Sequence, residues 1–152
     1  MSKVELTIND KQVLDVLTDI AARFSDLSDP MASIAAVMES RTEESFETET
    51  SATTGSPWPE LSENYLNKRP KRRGGKMLQV SAGGLAASIE GDSGDFWASI
   101  GSNKPYAAIH NWGGLPEMKP GPAAIPAREY LGINAEDEQS ILTILSDFLL
   151  EN

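Results

Sequence analysis

The stretch KVELTINDKQVLDVLTDIAARF, residues 3–24, sets two hydrophobic periods back to back. Val4, Leu6 and Ile8 alternate with Lys3, Glu5 and Thr7, the period-two pattern of a half-buried strand. Asn9 and Asp10 interrupt it and can cap a helix. Val13, Leu17, Ile20, Phe24 and Leu27 then recur at spacings of four and three, which puts all five on one face of that helix. A strand and a helix that each bury one face need a shared core, so the stretch predicts an α+β domain.

Working outward, Asp29 and Pro30 start a second helix, because proline in the first turn loses no intrahelical hydrogen bond. That helix carries Met31, Ile34, Ala35, Met38 and Phe46, with Glu39, Glu43, Glu44, Glu47 and Glu49 along its later part. The acidic half is expected to project or to face a basic partner. A short helix is expected around Leu85–Ile89, GDSGD reads as a turn, and DFWASIGS reads as a strand with Phe96, Ala98 and Ile100 on one side. YAAIHNWGG, residues 106–114, starts helically and stops at Gly113 and Gly114. The chain closes on a helix with Asn134 as cap, acidic residues in its first turn, and Ile141, Leu142, Leu145, Phe148 and Leu149 as its apolar face. The sum is a single domain, residues 1–152: a small, mostly antiparallel sheet packed with three or four helices.

Between these elements run loops too rich in Pro, Gly and charge to fill a core. SATTGSPWPE (51–60) and NKRPKRRGGK (67–76) flank a helical turn at LSENYL, so residues 51–76 read as one protruding arm. Residues 113–127, with four prolines, read as a second loop in contact with something. Trp58 between Pro57 and Pro59 is held extended, and a tryptophan so placed anchors in a hydrophobic pocket, at home or on a partner.

Composition narrows the function. With 152 residues and 39% apolar, the chain suits one domain whose surface is partly covered by partners. A net charge of −10 argues against general binding to nucleic acid. The absence of cysteine excludes disulfides and thiolate chemistry. No apolar run is long enough to span a bilayer and the start lacks a secretory signal, so a protein made in a cytoplasm is expected.

His110, the single histidine, could serve as a general base, yet Asn111 and Trp112 beside it supply no orienting acid or nucleophile, and there is no second histidine to share a metal. A structural or interface role is favoured over hydrolysis, and no cofactor is expected. The 23 acidic residues are spread along the chain, which makes chance carboxylate pairs easy to find. One segment opposes the acidic average: Lys68, Arg69, Lys71, Arg72, Arg73 and Lys76 fall within nine residues. They could contact phosphates, or meet an acidic surface of a neighbouring subunit such as Glu43, Glu44 and Glu47. The second is favoured, because complementary patches set register and partner.

The order of these pieces resembles the phage virion morphogenesis family, which includes the tail completion proteins of contractile- and Mu-like phages. The resemblance rests on Tyr106, Ala107, His110, Trp112 and Gly113, and on Ile125, Pro126, Ala127 and Arg128. It covers residues from about 57 to 150. The family more often shows Gln-Phe where this chain has Asn111 and Trp112, and Pro-Phe where it has Glu129 and Tyr130. The resemblance implies a structural protein of the virion neck, assembled in the host cytoplasm as a ring, commonly six-fold. Its neighbours would be connector or tail-tube proteins, with DNA passing through the channel and no membrane. Arg128, whose planar donor fork suits carbonyls or a carboxylate, is expected to fix a loop.

Overall fold

The computed structural model of the chain describes residues 4–7, 10–22, 26–79, 82–115, 117 and 125–151. Three strands, Val4–Leu6 (β1), Ile89–Ser93 (β2) and Ala98–Ser102 (β3), form an antiparallel sheet in the order β1–β3–β2. Val4 and Ile89 flank Ser102 from opposite sides, and Leu6 and Gly91 flank Ile100. Five α-helices surround it among the described residues: Lys11–Ala21 (α1), Ser28–Thr48 (α2), Glu63–Lys68 (α3), Ala107–Trp112 (α4) and Ala135–Glu151 (α5). The fold is α+β, with one more helix than expected because α3 and α4 are single short segments.

Helix α2 organises the core. Met31, Ile34, Ala35, Met38, Thr42, Ser45 and Phe46 are buried along it, a stripe at helical spacing that runs its whole length. The acidic second half therefore does not project: one face is buried and only the other carries Glu43, Glu44 and Glu47 into solvent. α2 packs on β2, β3 and α5, and α1 packs on α5. Val4, Val13, Ile100, Ile141 and Leu145 join the same cluster. Arg41 crosses from α2 to the start of α5, donating from Nε and Nη2 to the two carboxylate oxygens of Asp137 at 2.7 and 3.0 Å. Asn134 and Asp137 bond reciprocally to each other's backbone N–H, a capping box that starts α5.

Four local expectations are corrected. Leu27 does not extend the face of α1; it is buried at the N-cap of α2, where its N–H donates to the Asp95 carbonyl. GDSGD is not a turn over its length: Gly91–Ser93 belong to β2, and the reversal falls at residues 94–97, closed by Gly94 N–H on the Trp97 carbonyl. β2 lacks alternating apolar residues and takes its extended form from the pairing supplied by β3. Phe96 lies in that reversal, outside β3, and the helix expected around Leu85–Ile89 is one 3₁₀ turn at Ala86–Ser88. Ile8, Asn9, Phe24 and the side chains of Leu6 and Ile20 lie outside the described residues.

Candidate functional site

Two segments separated by ten residues of chain lie side by side on the body: the α4 corner at 106–114 and the extended run at 125–131. Arg128 N–H donates to the His110 carbonyl and Gly114 N–H to the Ile125 carbonyl, both at 2.8 Å. Gly113 sits at φ +81°, and a Cβ there would meet Ala127 N at 2.9 Å and the Ile125 oxygen at 3.0 Å. Glycine is required by both the backbone angle and the close approach.

Asn111 closes this junction from inside. Its Oδ1 accepts from both Tyr130 N–H and Leu131 N–H at 3.0 Å, and the residue is 2% exposed. The Tyr130 hydroxyl donates to the Ala107 carbonyl at 2.5 Å, and burial pushes that phenol well above its usual range. Tyr130 packs on Phe46 at 5.1 Å between ring centroids, and Phe46 meets Trp58 edge-on at 5.7 Å. This aromatic column joins α2, the root of the arm and the 125–131 run.

Trp58, read from the sequence as an anchor at home or on a partner, is buried in its own chain. Its N–H bonds to the Glu49 carbonyl at 2.8 Å and its indole Nε1 to the Glu129 carbonyl at 3.0 Å. Glu129 is a hub that the sequence did not disclose. Its carbonyl also accepts from Ala52 N–H, and its carboxylate accepts from the Ser51 hydroxyl at 2.7 Å and Thr53 N–H at 3.1 Å. Residues 51–58 are thus pinned to the body, and the exposed part of the expected arm is 59–76. Arg128 holds its root, with Nε donating to the Pro59 carbonyl at 2.8 Å and Nη2 to the Glu60 carbonyl at 2.9 Å. The loop at 113–127 falls for the most part outside the described residues.

The basic cluster divides. Arg73 pairs with Glu63 at 2.9 Å and with Asn67, and this pairing holds the Glu63 carboxyl below its usual range. Arg72 Nη2 donates to the Lys76 carbonyl, and Lys76 Nζ to the Glu47 carbonyl at the end of α2. Of the acidic set, Glu44 pairs with Arg41 at 2.7 Å. The side chains of Lys68, Arg69 and Lys71 are exposed and have no hydrogen-bond or ion-pair partner among the described residues, and the side chains of Glu43 and Glu47 are exposed likewise.

A half-open cleft of about 600 Å³ lies between the arm and α4, walled by Leu61, Tyr65, Leu78, Leu85, Tyr106 and Pro126. Arg72, His110 and Arg128 also line it. His110 packs edge-on to Tyr106 at 6.1 Å, and burial first, then the Arg128 charge, lowers its pKa. Among the described residues no carboxylate is hydrogen-bonded to the His110 ring, so none of them orients it as the acid of a catalytic pair would. Among the described residues no cluster of His, Asp or Glu is placed to hold a metal, and no helix is long and apolar enough to cross a membrane.

What the geometry defines is an α+β scaffold whose polar side chains tie loops to a core and leave one charged arm free. The chain belongs to the phage virion morphogenesis family, whose model matches residues 8–150. It is 44% identical over 110 residues to protein G of Escherichia phage Mu, a protein named for capsid assembly, covering 71% of this chain and 70% of that one. It is also 35% identical over 147 residues, 95% of each chain, to G protein 2 of a Mu-like prophage of Haemophilus influenzae. G protein 1 of that bacterium's Mu-like prophage is 33% identical over 132 residues, covering 86% of this chain and 84% of that one. No solved structure matches. The chain is a phage virion morphogenesis protein, related to phage assembly proteins.

Proposed function

We propose that the chain is a structural subunit of the virion neck, acting in tail completion or head–tail joining as a closed ring of copies, six-fold by the family's habit. Connector or tail-tube proteins would be its neighbours, and the ring would be assembled in the host cytoplasm. The observation that carries this reading is the split of the basic cluster. Arg72 and Arg73 bond within the arm and Lys76 ties it to the end of α2, while the side chains of Lys68, Arg69 and Lys71 have no partner among the described residues, on the arm of a chain whose net charge is −10. A free basic tip and an exposed acidic face at Glu43 and Glu47 are the two different surfaces that a head-to-tail contact needs.

Reversing Lys68, Arg69 and Lys71 to Glu tests it. The isolated variant should keep the circular dichroism and melting of the parent, since these side chains hold nothing in the fold, and particles carrying it should fail to join heads to tails. Normal yields of infectious particles would refute the reading. The same exposed cations favour one second reading, contact with DNA in the channel. Affinity for duplex DNA should then fall steeply with salt, by a slope near −0.9 per phosphate contacted; absence of binding at low salt removes it.

A further inference from the structure

The tip of the β2–β3 hairpin carries two large aromatic side chains in water: Phe96 is 48% exposed and Trp97 50%. The Trp97 ring folds over Gly94, where an added Cβ would lie 2.3 Å from the indole Nε1, so glycine is what lets the ring rest there. The fold therefore positions an exposed tryptophan. Asp92 and Asp95 beside the tip carry exposed carboxylates, Glu90 lies further down β2 opposite Gly101, and no basic residue occurs between Lys76 and Lys104. The tip is an aromatic knob with a negative collar.

The cleft between the arm and α4 has the opposite character. Its walls are apolar and aromatic, its charged lining is Glu60, Arg72 and Arg128 with the two arginines in excess, and its volume of about 600 Å³ falls in the range of ligand-binding clefts, ~300–1,000 Å³. Two nitrogens in it, Arg72 Nε and His110 Nδ1, are buried without a hydrogen-bond partner.

Knob and cleft lie at opposite ends of β3. The knob precedes Ala98, whereas Tyr106 and His110 follow Ser102, and five strand residues at ~3.3 Å each hold the ends roughly 16 Å apart. A knob cannot turn back into the cleft of its own chain. We propose that the Phe96–Trp97 knob of one copy docks in the cleft lined by Leu61, Tyr65, Leu85, Tyr106 and Arg128 of a second copy, with Asp95 toward Arg72. The occupant is a second copy because the chain itself carries both complementary shapes and charges. The contact joins unlike surfaces, so it propagates from copy to copy. It rests on the self-assembly part of the proposed function and specifies a contact distinct from the basic tip.

Two full-length variants test it in solution by sedimentation. One lacks the knob (Phe96→Ser with Trp97→Ser). The other alters the cleft at an exposed wall residue of α3 (Tyr65→Glu), where the new carboxylate would repel the collar. Each alone should associate about 30-fold or more weakly than the parent, the loss of truncating an aromatic hot spot. Mixed one to one, they should give dimers and nothing larger, because the mixture keeps one good knob and one good cleft. Association of either variant at the parent's strength overturns the proposal, as does a parent chain that stays monomeric at millimolar concentration. The charge-reversal test in particles is independent of both, so knob and cleft can fail while the neck reading stands.

Discussion

Replacing Asn111 by Leu keeps a γ-branched shape and removes the oxygen that receives two buried N–H groups, those of Tyr130 and Leu131. Those residues are 0% and 3% exposed, so water cannot stand in for the lost acceptor. An unsatisfied buried donor costs ~1–3 kcal/mol, which makes the expected loss ~2–6 kcal/mol for the pair. Against a total stability of ~5–15 kcal/mol for a domain, that is a large part of the fold. At ~2–4 °C per kcal/mol for a chain of this size, a mid-range loss of about 4 kcal/mol lowers the melting temperature by roughly 8–16 °C. Urea unfolding followed by tryptophan fluorescence would give the free energy, and a scan of circular dichroism would give the midpoint. Asn111→Gln, which restores an amide oxygen on a longer stem, should cost less than half as much. A loss under about 1 kcal/mol for Asn111→Leu would show that the junction is held by packing alone.

Arg41→Met should be costly for another reason: it leaves Asp137, 6% exposed, without its two-pronged partner, and breaking such a buried pair costs ~3–5 kcal/mol by urea unfolding. Arg128→Lys cannot reach the Pro59 and Glu60 carbonyls with one planar fork, so limited proteolysis should cut within 59–76 several-fold faster while the core strands keep their hydrogen-exchange protection. His110 has a folded-state pKa below its ordinary 6.5, so below that pH the unfolded chain binds more protons and stability falls as pH drops. Urea midpoints measured from pH 7 downward should show this decline, and His110→Gln should flatten it.

The long helices were legible because each buries one face at its own period, and the central strand because Ala98 and Ile100 alternate in sequence, although Ser99 and Ser102 are buried as Ile100 is. Met31 to Phe46 on α2 and Ile141 to Leu145 on α5 show that periodicity in the residues themselves, and Asn134 announces its cap. β2 was not legible, since Glu90, Gly91, Asp92 and Ser93 are extended only through the pairing β3 provides. The fate of Trp58 was undecidable between home and partner until Glu129 and Phe46 were placed around it, and neither is near it in sequence. Asn111 escaped notice because its partners are backbone groups, and Glu129 because its partners at residues 51–58 lie more than 70 residues away in sequence. A side chain that bonds main chain leaves no pattern of residue types to read. The motif residues Tyr106, His110, Gly113 and Arg128 could be singled out in order along the chain; that 106–114 and 125–131 lie against each other was visible only in three dimensions.

Imaging particles that carry this protein, averaged about the head–tail axis, tests the central proposal most directly. The account predicts a closed ring of this chain at the neck, with residues 59–76 of each copy reaching a neighbouring subunit or ring. Density for the chain confined to the head interior, or its absence from finished particles, would contradict it.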